Sequence, residues 1–383
     1  MSGIEKSIAE KHSFEGVIFL NSLIQLFWGS YRSNFKAMKI LYAIQGTGNG
    51  HLSRASDIIP ILKNKGELDI LVSGTQADLS LPFPVKYSYK GLSFVFGKKG
   101  GVDLWNTYLK NNIGRIIREI RSVPVENYDL IINDFEPISA WAAYLKGIPC
   151  IGLSHQSAVL SENAFLPKHK DRIGKFILKN YAPAKVNYGF HFEKFNKNTF
   201  TPVIRKQVRD LEVSDKGHYT VYLPSYSDEK LIKTLGQFKG IRWQVFSKHN
   251  KKLSTINNVS LRPIDNNAFI ESMASCTGVL CGAGFETPAE ALFLNKKLMV
   301  IPMKNQYEQH CNAAALQAMG VPVINNLKKK QVPKIENWLN SNATVKVNFP
   351  DITENIIDLL IENHLISELI DLNDPLSGNL NSI

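Results

Sequence analysis

Two glycine-rich segments of the sequence combine an adaptable backbone with side chains that could do chemistry. The first, GTGNGH over residues 46–51, follows the apolar run KILYAIQ and precedes a helical pattern. Glycine lets the backbone turn tightly and approach a ligand, and a helix N-terminus favours an anion. The glycine spacing is not that of a dinucleotide site, and the next predicted strand ends without an acidic residue. We therefore expect Gly48, Asn49 and Gly50 to form a phosphate or acceptor loop, not a nicotinamide site.

His51 stands at the end of this first loop. Histidine has an ordinary pKa of about 6.5, so a neutral imidazole at this position could accept a proton from a substrate near neutral pH. Alternatively, the ring could simply form a hydrogen bond to the loop and hold its shape. The sequence leaves both interpretations open.

The second segment, CGAGFETPAE over residues 281–290, ends a predicted strand and begins a helix. Free N–H groups at the helix start, from Gly284 to Thr287, could bind a phosphate, and the Thr287 hydroxyl is a further donor. Glu290 lies one turn inside the helix, where its carboxylate could accept hydrogen bonds from a ribose diol. A helix-capping or solvent-facing role for Glu290 is the alternative.

A third polar run, QYEQHCN, begins at Gln306 after another predicted strand. The adjacent acid and amide of Glu308 and Gln309 could together bind vicinal hydroxyls of a sugar. Ligands of α/β sheets bind at the carboxyl ends of the strands, where all three segments are expected to lie. Their combination predicts a binding site more strongly than any one of them.

Short apolar runs alternate with helical patterns from Lys39 onward, and a polar stretch near residues 193–217 separates two such series. This alternation is typical of a parallel sheet covered by helices on both faces. The sequence therefore predicts an α/β fold with two Rossmann-like parallel-sheet domains that face each other across a cleft. The runs predicted as strands are 39–45, 68–72, 129–133 and 149–153 in the first series, and 219–223, 241–246, 258–262, 278–281 and 297–302 in the second. A helix is predicted at about 103–122, between the strands at 68–72 and 129–133.

The chain is long enough for two cores, and we expect four parts. They are an N-terminal extension over residues 1–37, a first domain over 38–200, a second domain over 201–350 and an acidic helical C-terminal tail over 351–383. Within this tail, helical segments are predicted at 352–361 and 363–371. The apolar run at 16–28 is too short for a membrane-spanning helix and could be a membrane-surface anchor. We favour the alternative, a peripheral extension before a fold that begins at Met38.

The composition is that of an ordinary globular protein, with 44% hydrophobic and 21% charged residues among 383. The net charge of +11 suits an anionic partner, although a well-solvated basic surface explains it equally well. No nucleic-acid-binding motif is present, so nucleic acid is not expected as a partner. None of the four cysteines forms a C-x-x-C pair, which argues against a usual zinc site and favours a reduced cytoplasmic protein.

Three segments together resemble the nucleotide-sugar glycosyltransferases of the GT-B type, which have two Rossmann-like domains. They are GTGNGHLSRA at 46–55, GAGFETPAEAL at 282–292 and VIPMKNQYEQHCNA at 300–313. The sequence is most similar to family 28, which includes the N-acetylglucosaminyltransferase that completes the lipid-linked peptidoglycan precursor. The resemblance extends from about residue 38 to 325.

The resemblance implies that the second domain binds the donor, with Glu290 on the ribose and Glu308 and Gln309 on the sugar. The base would lie near Ile264, and Arg262 could approach the base or the phosphates. Ser225 is a weaker assignment, because its segment lacks the family's glycines. The donor-diphosphate loop and helix start would comprise Gly282, Ala283, Gly284, Phe285, Glu286 and Thr287.

On the acceptor side, His51 matches the family's proposed base, with Asp134 as the second choice. Glu136, His155 and Gln156 are expected to contact the acceptor. The reaction implied is an inverting transfer from a UDP-sugar to a hydroxyl, with no metal and no cofactor, since the nucleotide sugar is a substrate. An epimerase or hydrolase of the same fold, or a non-catalytic nucleotide-sugar-binding protein, remains an alternative.

The acceptor cannot be identified from the sequence. The basic surplus and the apolar stretches at 16–28 and 153–166 allow a lipid-linked acceptor or envelope glycan, with peripheral contact on the inner face of the membrane. A soluble acceptor is equally compatible with the sequence.

Overall fold

The computed structural model describes residues 38–74, 81–92, 96–97, 101–102, 112–167 and 171–373. The N-terminal extension expected at 1–37 and the last ten residues of the expected acidic tail lie outside the described residues. The first residues of the helix predicted at about 103–122 also lie outside the described residues, and the described helix begins at Ile113.

Among the described residues, the first sheet contains seven strands, all paired in parallel, and two further strands form a separate antiparallel pair. The nine strands of this half are β1 Lys39–Gln45, β2 Glu67–Ser73, β3 Tyr87–Tyr89, β4 Phe96–Gly97, β5 Gly101–Val102, β6 Leu130–Asp134, β7 Ile151–Ser154, β8 Val186–Phe190 and β9 Thr199–Phe200. Their order across the sheet is β3-β2-β1-β6-β7-β8-β9, with β4 and β5 forming the pair. The four strands predicted for this half are all present.

Helices connect these strands, and several begin at side-chain caps that the sequence supplies. The Asn112 side chain accepts from the Arg115 N–H at 2.9 Å, and the Asp171 side chain accepts from the Gly174 N–H at 2.8 Å. The helices of this half are α1 Asn49–Lys63, α2 Ile113–Ser122, α3 Pro137–Lys146, α4 His155–Val159 and α5 Arg172–Tyr181, followed by the short α6 Lys206–Arg209 in the segment between the two sheets.

The second sheet has six strands in the order β12-β13-β11-β10-β14-β15. All its pairs are parallel except β12 with β13. Its strands are β10 His218–Tyr222, β11 Arg242–Ser247, β12 Ser254–Ile256, β13 Val259–Pro263, β14 Gly278–Gly282 and β15 Lys297–Ile301. Its helices are α7 Asp228–Leu235, α8 Asn266–Ala274, α9 Glu286–Phe293, α10 Tyr307–Ala318 and α11 Val332–Asn340. All five strands predicted for this half are present, and the two parallel sheets confirm the predicted α/β fold class.

Each sheet has its own apolar core, because its strands are buried on both faces. In the first half, Leu41 and Ile131 pack with residues of α3 such as Ile138. In the second half, Trp243 and Leu280 belong to a separate cluster. From Lys39 onward the chain nevertheless forms one compact unit. The exact domain boundaries stay a prediction.

The C-terminal helix α12, Thr353–Asn373, is one continuous helix where the sequence predicted two short ones. It returns to the first half and packs on α1. Lys65 Nζ lies 2.6 Å from the Asp358 carboxylate, and Asn363 donates to the Tyr188 hydroxyl at 3.0 Å. This segment is therefore attached to the first half. Among the residues described, no helix combines the length and the apolar character needed to cross a membrane.

Candidate functional site

The glycine loops of the two halves meet at the carboxyl edges of the two sheets. The first loop runs from the end of β1 into α1, and the second runs from the end of β14 into α9. A Cβ atom on Gly50 would lie only 3.1 Å from Cγ of Glu286, the first residue of α9. Glycine at position 50 therefore leaves room for the Glu286 side chain, so that the first loop can contact α9.

His51 and Asp134 form a hydrogen-bonded pair at this edge. His51 Nδ1 lies 2.9 Å from Asp134 Oδ1, and the carboxylate is fully buried at the end of β6. Because an ionised carboxylate only accepts, a neutral His51 ring donates from Nδ1 and keeps Nε2 as an acceptor. The sequence predicted both residues, and the structure shows them in direct contact.

Arg54 lies one turn after His51 on α1 and is one of two site residues that the sequence pattern did not indicate. Its Nη2 atom donates to both oxygens of Asp134, at 2.7 and 2.8 Å, and its Nη1 atom bonds to Glu286 of the other half. Burial alone would raise the pKa of Asp134, but the charges of Arg54 and His51 hold that pKa below its usual value. The three-residue spacing from His51 was a signal that the two side chains share a helix face.

Gln156 links His51 to the third polar segment. Its side-chain amide donates to Glu308 at 3.0 Å, and the same nitrogen lies 3.4 Å from His51 Nε2. The Gln156 amide thus lies beside Nε2, the ring nitrogen at which a neutral His51 accepts a hydrogen bond. Gln309 has a different contact, since its Oε1 accepts from the Met303 N–H at 2.9 Å.

His155 connects the two halves from within the protein. Its Nδ1 donates to the Phe190 carbonyl oxygen at 2.8 Å, and its Nε2 lies 2.7 Å from Asn312 Oδ1. The ring stacks on Phe285 of the second half with centroids 3.8 Å apart. Burial lowers the pKa of His155 to about 4. Both ring nitrogens are engaged, so the visible role of His155 is to join the halves, and its predicted acceptor role stays a prediction.

Glu136 is buried and caps helix α3. Its carboxylate accepts from the backbone N–H groups of Ile138 and Ser139 at 2.6 and 2.7 Å, and from the Ser73 hydroxyl at 2.5 Å. Burial raises the pKa of Glu136 against the effect of these hydrogen bonds. These contacts give the carboxylate a structural function, and the predicted contact with an acceptor stays a prediction.

The second glycine loop presents a helix start without a side-chain cap. No side chain among the described residues caps α9, whereas α10 is capped by Gln306, which accepts from the Gln309 N–H at 2.6 Å. A Cβ atom on Gly284 would meet nothing within 4 Å, so the loop borders open space there. Ala283 is buried against β15 through its N–H to the Ile301 carbonyl, at 3.2 Å. Uncapped N–H groups beside open space are suited to bind an anion.

Glu290 lies inside the protein at 3% exposure, which excludes the solvent-facing alternative. Arg205, from the segment between the sheets, binds it with two hydrogen bonds of 2.5 and 2.9 Å. Arg205 also donates to Asn266 Oδ1 at 2.7 Å. A carboxylate has about four acceptor positions, so Glu290 keeps acceptor capacity while the guanidinium fixes its plane. Arg205 is a second residue that the sequence analysis did not select.

The remaining predicted donor residues lie near the carboxyl edge of the second sheet. Ser225 follows β10, Ile264 follows β13, Arg262 lies near the end of β13 and all three are half-buried. Thr287 is half-buried in the first turn of α9. The structure thus gathers these four residues along one edge. Their individual roles stay predictions.

Comparison with known protein families gives one match over most of the chain. The family model described as glycosyl transferase family 1 matches residues 38–341. No curated protein matches the chain.

Solved structures with the same architecture match nearly whole chains. A S. aureus MnaA–UDP complex has a TM-score of 0.54 at 12% identity, covering 86% of this chain and 97% of its own. Acinetobacter baumannii MurG has a TM-score of 0.51 at 14% identity, covering 85% and 100%. Phytolacca americana UGT2 complexed with UDP-2fluoro-glucose and pterostilbene has a TM-score of 0.52 at 13% identity, covering 86% and 95%. At such identities the likeness shows the fold alone, and this confirms the predicted GT-B architecture.

The buried histidines predict a loss of stability in acid. Burial lowers the pKa of His155 to about 4 and that of His191, whose ring stacks against it, to about 3. Below about pH 6.5 the unfolded chain therefore binds protons that the folded protein excludes, and each histidine lowers the free energy of unfolding by up to about 1.4 kcal/mol per pH unit. Urea unfolding between about pH 7 and 5 should show this slope.

The variant His155→Phe retains an aromatic ring for stacking and removes one titrating group, so its slope should be shallower than that of the wild type. His249→Gln, which removes an exposed histidine, is the matched control and should keep the wild-type slope. An unchanged slope in His155→Phe would show that His155 does not contribute to the acid sensitivity.

Proposed function

The chain belongs to glycosyl transferase family 1, and we propose that it transfers a sugar from a UDP-sugar to an acceptor hydroxyl, with inversion at the anomeric carbon and without a metal ion. The observation that carries this proposal is the His51–Asp134 pair in contact, through Arg54, with the uncapped start of α9. A proton acceptor and an anion-binding helix start thus belong to one site. These are the two functions that glycosyl transfer from a nucleotide diphosphate needs.

The donor would bind on the second half. The N–H groups at the start of α9 and the Thr287 hydroxyl would bind the diphosphate, and Glu290 would accept from the ribose hydroxyls. The choice of UDP is supported by two structures of the same fold, which contain UDP in MnaA and UDP-2fluoro-glucose in UGT2. Both are similar to this chain in fold, and the donor base is inferred from them.

The inverting mechanism is a single displacement. The acceptor hydroxyl would give its proton to His51 Nε2 while its oxygen forms a bond to the anomeric carbon and the bond to the UDP oxygen breaks. Asp134 would hold the ring with Nδ1 as donor and stabilise the imidazolium that forms. The charge that develops on UDP would be stabilised by the N–H groups and dipole of α9.

The absence of a metal from this mechanism is supported by how the nearby carboxylates are bound. Asp134 and Glu286 share the guanidinium of Arg54, and Glu290 is paired with Arg205. Each of these three carboxylates therefore already has a cationic partner from the protein. The charge of the diphosphate would be met by the helix start.

An acceptor with an apolar anchor is supported by helix α5. Ile173 and Phe176 are 64% and 68% exposed on this helix, and its cationic side chains Arg172, Lys175 and Lys179 surround them. Exposed apolar side chains among cations suit an anionic membrane surface. We extend the proposal to a lipid-linked acceptor or envelope glycan at the inner face of the membrane.

The position of α5 connects this surface to the site. A Cβ atom on Gly174 would lie 2.8 Å from Cβ of Tyr307, so α5 packs closely on the start of α10. Glu308, which contacts Gln156, is the next residue of α10. A lipid held against α5 would thus bring its head group towards the proposed base.

Donor binding can be tested by calorimetry with UDP, GDP and TDP, each alone and as sugar conjugates. We expect UDP to bind with a Kd in the micromolar range, about −8 kcal/mol, and Glu290→Gln to weaken it at least about tenfold through loss of a charged acceptor. Glu271→Gln, at an exposed glutamate on α8, is the control and should bind as the wild type does. No binding of any nucleotide, or equal binding by Glu290→Gln, would contradict the donor assignment.

The base can be tested by turnover, measured as UDP release with a panel of sugar and lipid-linked acceptors. His51→Ala should lower kcat by about 10²- to 10⁴-fold and leave the affinity for UDP nearly unchanged, since the ring acts on the acceptor proton. Asp134→Asn should also lower kcat, because the amide favours the wrong ring tautomer. A loss of less than about tenfold in His51→Ala would exclude His51 as the base.

Membrane contact can be tested with vesicles that contain about one-third anionic lipid. The wild type should co-sediment with them and be released by high salt, since charge contributes to the binding. The double variant Ile173→Ser/Phe176→Ser should bind at least about fivefold more weakly. Leu253→Ser removes a side chain of similar exposure, 64%, from the second half and should not change binding. Equal binding by the two variants would overturn the assignment of α5.

A further inference from the structure

Arg54 is buried at the contact between the two halves, with only 1% of its side chain exposed. It binds the carboxylate of Asp134 from β6 and the carboxylate of Glu286 from α9, so one guanidinium serves two acids from different sheets. The contact with Glu286 exists only while the first glycine loop touches α9, as it does at Gly50. The second ion pair of Arg54 therefore depends on the two halves being together.

The four side chains form one line of hydrogen bonds: His51, Asp134, Arg54 and Glu286. With a neutral histidine and both acids ionised, this line carries one net negative charge. Proton uptake by His51 makes it neutral, which favours the proton transfer that the proposed reaction requires. Without Arg54 the line would carry two negative charges, which would favour the protonated His51 ring more strongly.

Glu286 competes with Asp134 for the same cation. When α9 contacts the first half, the negative charge of Glu286 offsets part of the positive charge of Arg54. The negative charge of Asp134 is then less compensated, so Asp134 stabilises a protonated His51 ring more strongly. Without the contact with α9, Arg54 would be paired with Asp134 alone, and the His51 ring would be a weaker proton acceptor. Burial raises the pKa of Glu286 and the neighbouring carboxylates add to this effect, whereas the ion pair with Arg54 opposes it and favours the charged carboxylate.

From this arrangement we infer that Arg54 is a positioning residue that makes the strength of the His51 base depend on contact with the donor helix α9. The inference rests on the proposed function, in which His51 accepts the proton and α9 binds the donor. It adds Arg54 to the residues of the proposed site, and it links the basicity of His51 to the contact between the two halves. Contact of α9 with the first half would raise the proton affinity of His51 through Glu286 and Arg54.

Other charged or titratable groups act on the same line, and their effects are part of the test. The buried Tyr42 of β1 faces Arg54, and burial together with Asp134 raises its pKa well above the usual value. Glu290 of α9 adds negative charge near Glu286, and Arg205 opposes it. Glu308 lies on the other side of the Gln156 amide from His51, and its carboxylate adds negative charge near the ring in every variant of the test.

The test is the titration of the His51 ring in the full chain, followed by NMR of ¹³C-labelled histidine side chains and assigned with His51→Gln. Glu286→Gln removes one negative charge and leaves the Arg54–Asp134 pair in place. The His51 midpoint should therefore fall by at least about 0.5 pH unit. Arg54→Gln removes the positive charge and should move the midpoint upward by at least about the same amount.

The double variant Arg54→Gln/Glu286→Gln restores one net negative charge and should return the midpoint towards that of the wild type. Glu290→Gln is the matched control on α9, because that carboxylate is paired with Arg205, and it should shift the midpoint by less than about 0.2 unit. A general loosening of the structure would not shift the His51 midpoint in opposite directions in the two single variants. It also would not return the midpoint towards the wild-type value in the double variant.

Arg54→Gln leaves two buried carboxylates without a cation and could prevent folding. In that case Glu286→Gln decides the question. The Glu286 side chain is 17% exposed, so its replacement disturbs the buried charges less than that of Arg54. No shift in Glu286→Gln, or a shift to higher pH, would overturn the inference. Failure of the proposed function would look different: His51→Ala would keep its turnover while these titration shifts could still occur.

Discussion

The guanidinium of Arg54 is the constraint on which the rest of the site depends. A buried charge is costly unless it is paired, and Arg54 finds its partners in two different sheets. Asp134 must lie at the end of β6 and Glu286 at the start of α9 for both bonds to form. The first loop must then make room for the Glu286 side chain, and the absence of a Cβ at Gly50 provides that room.

Other contacts between the halves follow the same principle. His155 of the first half stacks on Phe285 and reaches Asn312 of the second. Gln156 donates to Glu308 across the same boundary. Each of these residues of the first half is fixed by a residue of the second, so the geometry of the site and the contact between the halves are one feature. Removal of one partner from such a buried pair is costly, because it leaves the other polar group without a hydrogen bond.

The arrangement accounts for a GT-B glycosyltransferase that separates its functions between two sheets. In the proposed function, the first half would supply the proton acceptor and the surface of α5, and the second half would supply the helix start that binds the diphosphate. Arg205 extends this division of roles, because it comes from the segment between the sheets and binds Glu290 with two hydrogen bonds. A nucleotide that reaches Glu290 would therefore contact a residue already coupled to the segment that joins the halves.

The sequence determined the elements whose signals are local. The five predicted strands of the second half and the four of the first are present, because buried parallel strands are continuous apolar runs that need no knowledge of their neighbours. Short strands were missed, among them β3 with the sequence YSY and the two-residue β9, since their pairing comes from the sheet edge they join. The tail was predicted as two helices, but it forms one continuous helix, α12, which packs against α1.

For the site, the sequence identified His51, Asp134 and the two glycine loops, because glycine turns and polar residues at strand ends carry a recognisable pattern. It did not identify Arg54 or Arg205, and it could not separate a surface role for Glu290 from a buried one. Those roles depend on partners distant in the chain: Arg54 and Glu286 are 232 positions apart, and Arg205 and Glu290 are 85 apart. Side-chain spacing along one helix or strand contains no information about such partners. Only the packing of one sheet edge against the other decides which charges are buried together, and the cost of an unpaired buried charge then fixes their geometry.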